Sequence, residues 1–427
     1  MKQTNKSILA NGIRVVTKKI PHACSVSMGI WVNIGSRDES KHESGISHFI
    51  EHMMFKGTSK RSAFQIAKEF DAIGSHSNAF TSMEHTCYYA RGVYGHLNTL
   101  VNILSDIFLN SVFDPQEMEK ERMVILQEIH MLEDNPEDYI HFLSGNACFG
   151  DHPLGRSTLG LPDTISLFNR DAIVEFYANK YRADRIVISA AGHLEHDHFL
   201  DLIDHHFGQF NANASSNARQ EPSIQSLANK YCRQLEQIHV CLTTKGVDIQ
   251  SPQRYPFTLM NIILGGNMSS RLFQDIRENR GLAYSIYSYN CSYIDSGMQG
   301  IYVALEPNTL QEALDAITYQ INDIKTHGVT KQELFEAKEY AKGTLMLSSE
   351  SIDNQMVLLA HNELNYNRQI TQNEIIQEID AVSEQDMIEL ANQLFNPNSL
   401  SLVMLGPTEP ISHKMIFDDI KDILSNN

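Results

Sequence analysis

The sequence lacks any apolar run long enough to span a bilayer, so a protein with membrane-spanning helices is not expected. The first residues, Met1–Lys6, show neither the apolar segment of a signal peptide nor the Arg-rich amphipathic pattern of a transit peptide. We therefore expect a cytoplasmic protein of bacterial type, or a mitochondrial matrix protein if the chain is a processed form. The 427 residues are enough for two or more domains with a large core.

Cysteines and basic residues are also sparse. The six cysteines are scattered without the close spacing of a metal site, which favours reduced thiols over a disulfide framework in a chain of this length. Lys and Arg number 34 against 52 Asp and Glu, and the net charge of −18 disfavours nucleic acid as a partner. The same acidic charge suits a basic peptide substrate, although many cytosolic proteins are simply acidic.

No Ser-His-Asp order, catalytic cysteine context or phosphate-cradling glycine loop stands out, whereas one histidine motif does. His48, Glu51 and His52 have the order H-x-x-E-H, which on a helix places the two histidines one turn apart with the glutamate beside them. Two neutral imidazoles can bind Zn²⁺, and the carboxylate can take a proton from water. Such a short motif also arises by accident, so its surroundings decide its meaning.

The surroundings of the motif predict a half-buried helix. Ile46, Phe49, Ile50 and Met53 follow the i, i+3, i+4, i+7 spacing of an apolar stripe. At about 100° per residue, the motif residues lie on the opposite side of this helix. They are therefore not core histidines packed into the apolar face, and we predict a metal-binding helix.

A third protein ligand is expected from a second rigid element. Asp114 followed by Pro115 is typical of a helix N-terminus. Further along, Glu121 and Glu128 share one stripe with two large apolar residues, where a bare carboxylate is costly unless it is paired or bound to a metal. We predict Glu128 as the third zinc ligand and Glu121 as a group that supports the ligands. The alternative is that both glutamates lie on a solvated helix face.

Three segments of the chain resemble one known family. Gly45–Thr58, Asn78–Thr81 and Glu121–Glu128 resemble the pitrilysin family of zinc peptidases, the inverzincins. Within it they are most similar to the β subunit of mitochondrial processing peptidase and its bacterial homologues. The third ligand of the family ends a Glu-x₆-Glu pair, and Glu121 and Glu128 have this spacing. The resemblance covers nearly the whole chain.

The chain reads as two halves of one kind. Residues 178–192 and 391–406 both read as a helix end, a turn, a strand and a glycine, which indicates a duplicated domain. We predict an α+β fold with a catalytic, zinc-binding domain at 1–212, a linker at 213–223 and a homologous domain at 224–427. Each domain is expected to pack a mostly antiparallel sheet against helices. The resemblance implies that the second domain closes over the first as a clamshell.

The second half lacks the histidine motif, so we assign the chemistry to the first half. One zinc ion on the three predicted ligands would lower the pKa of water towards about 7. Glu51 would accept the proton and deliver it to the leaving amine. The resemblance implies that Arg277 and Tyr284 contact the substrate and help to stabilise the developing oxyanion.

The expected substrate is an extended peptide. Residues 77–82 read as a strand, and an exposed edge strand can bind a peptide through main-chain hydrogen bonds. The resemblance implies that this edge is used, with Asn78, Ala79 and Phe80 as substrate-binding residues. Read alone, the segment is equally compatible with an ordinary internal strand.

The sequence thus predicts a zinc-dependent endopeptidase that cleaves extended peptides or unfolded segments, with basic targeting-type peptides as one class. The alternative is a non-catalytic scaffold or a regulatory subunit, because some relatives survive in that role after losing parts of the motif. By analogy with the family, we expect a homodimer or a heterodimer with a paralogue.

Overall fold

The computed structural model describes residues 4–210, 218–409 and 411–425. The strands in these ranges are β1 (Thr4–Ile8), β2 (Arg14–Lys19), β3 (Ser25–Val32), β4 (His76–Thr81), β5 (Thr86–Val93), β6 (Ile186–Gly192), β7 (Ala228–Cys232), β8 (Ile238–Lys245), β9 (Ala283–Ser292), β10 (Gly297–Leu305) and β11 (Ser401–Gly406).

The helices of the first half are α1 (Ile46–Met54), α2 (Ala63–Ala72), α3 (Leu97–Asn110), α4 (Pro115–Asp134), α5 (Pro136–Phe149), α6 (Pro162–Leu167), α7 (Arg170–Lys180) and α8 (His196–Phe207). Those of the second half are α9 (Arg254–Leu264), α10 (Leu310–His327), α11 (Lys331–Ser348), α12 (Ile352–Tyr366), α13 (Gln372–Ala381), α14 (Glu384–Leu394) and α15 (His413–Ser425). In addition, Phe273–Asn279 forms a π-helix. Each helix in the described ranges is too short or too polar to cross a bilayer.

The first compact unit consists of Met1–Met131, Arg156–Arg219 and Met346–Gln369. Its six-stranded sheet has the order β1-β2-β6-β3-β5-β4, with β2 and β6 parallel and the other pairs antiparallel. The central strands β3 and β6 are buried over almost their whole length. Because such strands are apolar on both sides, each face of the sheet needs a covering layer.

Two helical layers cover this first sheet. The main core holds Phe49 of α1, Leu104 of α3 and Phe199 of α8 against one face. On the other face, α12 packs Met356 against Trp31 of β3 and its neighbours. The helix that carries the histidine motif thus belongs to the main core, and its buried side sets the direction of its polar side.

The second compact unit consists of Leu132–Gly155, Gln220–Leu345 and Ile370–Asn427. Its sheet has the order β7-β11-β8-β10-β9, with β11 parallel to β7 and antiparallel to β8. Helices α9, α10, α14 and α15 supply the core on one face. On the other face, α5 packs Ile140 and Leu143 against β8 and β11.

The predicted α+β class is confirmed, since each unit joins one sheet to layers of helices. The compact units differ from the predicted boundaries, because residues 132–155 pack on the second sheet and residues 346–369 on the first. The prediction assigned each of these segments to the other unit. Within the predicted linker, residues 213–217 lie outside the described residues.

Candidate metal centre

The residue before helix α1 is a glycine, and a larger residue would not fit easily at this position. Gly45 precedes the helix with φ of 93°, in the left-handed region, and a Cβ there would lie 2.7 Å from the carbonyl oxygen of Leu159. The predicted apolar stripe is confirmed, since its four residues are at most 1% exposed. The glycine therefore fixes the direction in which the chain enters α1. The buried stripe leaves the histidine motif on the polar side of the helix.

Helix α4 begins as the sequence indicates. The Asp114 carboxylate accepts hydrogen bonds from the backbone amides of Gln116 (2.8 Å) and Glu117 (3.2 Å), and the helix starts at Pro115. Further along the helix, Ile125 is fully buried, and its burial determines which side of α4 faces the core. The glutamates predicted on this stripe are thereby directed towards α1.

Three side chains from α1 and α4 converge. Nε2 of His48 lies 3.5 Å from Oε2 of Glu128, and Nε2 of His52 lies 3.6 Å from the same oxygen. One ligand atom from each residue lies within 4.8 Å of the others. A tetrahedral zinc ion with bonds of about 2.1 Å separates its ligand atoms by about 3.4 Å. The donor set, two imidazoles and one carboxylate, therefore fits zinc in chemistry and in spacing.

The histidines of this group differ in how they are held. The Nδ1 of His52 donates to Oε2 of Glu121 at 3.0 Å, and Lys56 pairs with the other oxygen of that carboxylate at 2.7 Å. This contact fixes the tautomer and leaves the Nε2 lone pair of His52 towards Glu128. The buried Nδ1 of His48, by contrast, makes no hydrogen bond to any residue in the described ranges.

The protonation state of the site suits a cation. Burial, together with the neighbouring His52, lowers the pKa of His48 to about 3, so this imidazole is neutral at physiological pH. A neutral imidazole has a free lone pair for a metal ion. The side chain of Glu128 is 36% exposed, so the three-residue group also opens towards solvent.

The motif glutamate lies beside this group and bonds to the edge strand. Glu51 accepts a 2.5 Å hydrogen bond from the hydroxyl of Thr81, the last residue of β4. Burial raises the pKa of Glu51, whereas the Thr81 bond and the nearby His52 act in the opposite direction. A carboxylate with a raised pKa beside a potential cation site is suited to accept a proton from water.

Strand β4 is the edge of the first sheet, next to β5. Of the three predicted substrate-binding residues, Asn78 holds the backbone amide of Ala79 through its side-chain oxygen at 2.9 Å. Phe80 is 38% exposed and packs edge-on against Trp31, with ring centroids 5.5 Å apart. Strand β4 therefore has backbone groups along its unpaired edge, and the contact between Phe80 and Trp31 holds it against the sheet.

Arg277 and Tyr284 lie together in the second unit. The guanidinium of Arg277 lies between two aromatic rings, 4.7 Å from the centroid of Phe273 and 4.5 Å from that of Tyr284. It also donates to the main-chain oxygen of Tyr284 at 2.9 Å. The phenol itself is 78% exposed. Arg277 on the π-helix thus lies beside Tyr284 at the start of β9, and the catalytic role of the two residues stays a prediction.

Three residues that contact the ligands, the general base or the start of α1 were not predicted from the sequence. Lys56 lies four residues after His52, just past the end of α1, and Thr81 ends β4, so both follow elements that the sequence predicts. Glu39 accepts hydrogen bonds from the N-terminus of α1, although it lies in an irregular loop. No spacing rule links a loop residue to a helix end, so Glu39 has no signal in a single sequence.

Two known family profiles match the chain. Residues 14–161 match the family described as insulinase, peptidase family M16, and residues 167–340 match the peptidase M16 inactive domain. A Bacillus subtilis (strain 168) relative, named as the uncharacterized zinc protease YmxG, is 42% identical over 398 residues, which cover 93% of this chain and 97% of the relative. The Mycobacterium leprae (strain TN) protein named as uncharacterized zinc protease ML0855 is 36% identical over 407 residues, with coverage of 94% and 91%.

Solved structures share the fold. A crystal structure described as a protease from Helicobacter pylori matches with a TM-score of 0.87 and 22% identity, covering 95% of this chain and 99% of that one. The peptidase M16 inactive domain from Pseudomonas fluorescens matches with a TM-score of 0.89 and 17% identity, covering 95% and 98%. The predicted pitrilysin-type relationship is confirmed, and the chain belongs to the insulinase/pitrilysin peptidase family M16.

Proposed function

We propose that this protein is a zinc-dependent endopeptidase that hydrolyses extended peptides. The single observation that carries the proposal is the convergence of His48, His52 and Glu128 from two helices, at separations suited to one tetrahedral ion. Relatives that are named zinc proteases support the same assignment. The second family match, to an inactive domain, begins after the last of these residues and leaves the group intact.

The side chains divide the chemistry between them. When bound, zinc supplies Lewis-acid polarisation, which makes water a stronger acid near neutral pH. Glu51 accepts the proton of the attacking water and returns it to the leaving amine. Glu121 holds the His52 ring so that its Nε2 stays directed at the cation position. No covalent intermediate is needed in this scheme.

The proposed substrate is a peptide added as a further strand beside β4. An edge strand offers unpaired main-chain groups, which bind an extended chain with little demand on its sequence. The side-chain oxygen of Asn78 occupies the amide of Ala79 and would be displaced by an incoming carbonyl group. The net charge of −18 favours basic peptides by long-range attraction.

The decisive experiment compares Glu51→Gln with the wild type. We expect the variant to retain one zinc ion per chain, measured by elemental analysis, and to lose cleavage of a basic, extended fluorogenic peptide. Exposed Glu175 on α7 provides a matched control, since Glu175→Gln removes the same charge elsewhere. Equal peptidase activity in wild type and Glu51→Gln would refute the general base.

A non-catalytic scaffold is the alternative function. The presence of all three ligand residues argues against a scaffold, because a scaffold does not need three converging metal ligands. Chelation of the wild type separates the two, since an endopeptidase loses activity that zinc restores and a scaffold has none to lose. The assembly, a homodimer or a heterodimer with a paralogue, stays a proposal by analogy with the family, and the cytoplasmic location stays a proposal from the sequence.

A further inference from the structure

The loop between β3 and α1 is fastened to the hairpin turn that follows β4. The backbone amide of Ser36 donates to the carbonyl of Ser82 at 3.2 Å, and that of Arg37 donates to Met83 at 2.8 Å. Gly35 lies so close that a Cβ there would be 2.3 Å from the carbonyl oxygen of Ser82. The start of this loop therefore has one position relative to the edge hairpin.

A buried ion pair strengthens the same junction. Nη1 of Arg37 lies 2.6 Å from Oε1 of Glu84, and both side chains are at most 7% exposed. Arg219 pairs with Asp38 at 2.8 Å and lies 3.7 Å from Glu84. Charges buried in this way hold their partners in one geometry, because separating them leaves an uncompensated charge.

One residue further on, Glu39 reaches the metal-binding helix. Its Oε2 accepts a hydrogen bond from the amide of Gly45 and its Oε1 accepts one from Ser47, both at 2.8 Å. The residue is 4% exposed, and Arg156 donates to its main-chain oxygen at 2.9 Å. The first amides of a helix lack partners within the helix and carry partial positive charge, so a carboxylate there fixes the helix end.

We propose that Glu39 is a positioning residue, which holds α1 so that His48 and His52 meet Glu128 at the separation a metal ion requires. Ser47, one of its two donors, directly precedes His48 in the chain. Helix α1 has nine residues, so a small rotation at its first turn carries through to both histidines. Metal centres tolerate displacements of only about 0.5 Å. This inference rests on the proposed function in one respect, that the three ligands bind zinc.

The test uses Glu39→Gln, in which one of the two acceptor oxygens becomes an NH₂ group that faces a backbone N–H. Two variants of the same loop region serve as controls. Glu43→Gln removes a carboxylate that bonds to the amide of Ser40 rather than to α1. Glu84→Gln breaks the buried ion pair with Arg37 and so destabilises the junction between the loop and the edge hairpin, while the Glu39 carboxylate is kept.

The metal-free proteins are titrated with zinc against a chromophoric chelator, and their melting temperatures are measured in parallel. For Glu39→Gln we expect zinc affinity to fall about tenfold, and kcat at saturating zinc to fall with KM nearly unchanged. Glu43→Gln should match the wild type. Glu84→Gln should melt earlier yet bind zinc as the wild type does, which separates positioning from general stability.

The proposal is overturned if Glu39→Gln binds zinc with wild-type affinity. It is also overturned if zinc affinity in Glu39→Gln and Glu84→Gln falls only in step with melting temperature. Because zinc affinity is measured without peptide, a wild type that binds zinc but cleaves nothing refutes the proposed function and still leaves Glu39 tested. A wild type that binds no zinc refutes both.

Discussion

The hydroxyl of Thr81 donates a 2.5 Å hydrogen bond to the Glu51 carboxylate, which joins the end of the edge strand directly to the proposed general base. A hydrogen bond to the charged form of an acid lowers its pKa, whereas burial raises the pKa of Glu51. Thr81 therefore opposes the rise in the pKa of Glu51 that burial causes. A residue of β4, the strand proposed to bind substrate, thus influences the pKa of Glu51, the proposed general base.

Replacing Thr81 with valine tests this link. Glu51 must be ionised to accept a proton, so kcat/KM rises with pH through its pKa. Loss of the hydrogen bond raises that pKa, and we expect the acid limb of the pH profile to move upward by about one unit. Thr81→Ser keeps the hydroxyl and should retain the wild-type profile. An acid limb that stays in place in Thr81→Val would contradict the assignment.

Glu121 provides a second prediction, on metal affinity. Its carboxylate orients His52, and removal of such a partner weakens metal binding by about 10- to 100-fold. We expect Glu121→Gln to show that loss in a competition titration with a chromophoric chelator. Glu117→Gln, on the same helix and paired with Lys120 on the surface, is the matched control. Equal zinc affinity in the two variants would mean that Glu121 does not support the ligand.

The parts of the site that depend on helical spacing were predictable from the sequence. The apolar stripe of α1 determines which side of that helix is buried, and Asp114 with Pro115 determines where α4 begins. From these two local rules, His48, His52 and Glu128 emerge as candidates without any long-range information. The resemblance to the family then pointed to the edge strand.

Contacts between distant segments were not predictable in this way. The packing of α12 on the first sheet joins Met356 to Trp31, and no local pattern specifies which sheet an amphipathic helix covers. Glu39 is similar, because a loop carboxylate becomes a helix partner only after the chain has folded back. A single sequence records the buried face of an element, but it does not record which face of another element covers it.

Tyr284 provides a third prediction, which tests a role implied by family resemblance. Its phenol is 78% exposed and stacks on the guanidinium of Arg277, so Tyr284→Phe removes one hydroxyl without disturbing the core. If this hydroxyl stabilises the oxyanion, kcat should fall by about 100-fold with little change in KM. Tyr319→Phe on α10, where the ring is 62% exposed, is the control. Unchanged turnover in Tyr284→Phe would remove it from the mechanism.

A buried histidine, His85, and a partly buried one, His361, lie where α12 covers the first sheet. The rings of His85 and His361 are 5.9 Å apart, and His361 also packs edge-on against Trp31 at 5.3 Å. Burial lowers the pKa of His85 to about 3, and the neighbouring His361 and Arg219 act in the same direction. Burial also lowers the pKa of His361. Both rings are therefore neutral in the folded protein at pH values where the unfolded chain already binds protons.

The fourth prediction follows from the sign of these shifts. An unfolded histidine titrates near pH 6.5, so the stability due to neutral His85 and His361 is complete above that value and is lost as pH falls below it, over a range that extends to about 3 for His85. Each histidine contributes at most about 1.4 kcal/mol per pH unit to this loss. His361→Leu removes one of them, and the fall in unfolding free energy between pH 7 and pH 5 should shrink accordingly in urea titrations. Exposed His130 on α4 supplies the control. His130→Leu leaves both His85 and His361 in place, so its unfolding free energy should depend on pH as that of the wild type does. If wild type and His361→Leu lose stability equally over this range, protonation of His361 does not limit the acid stability of the first unit.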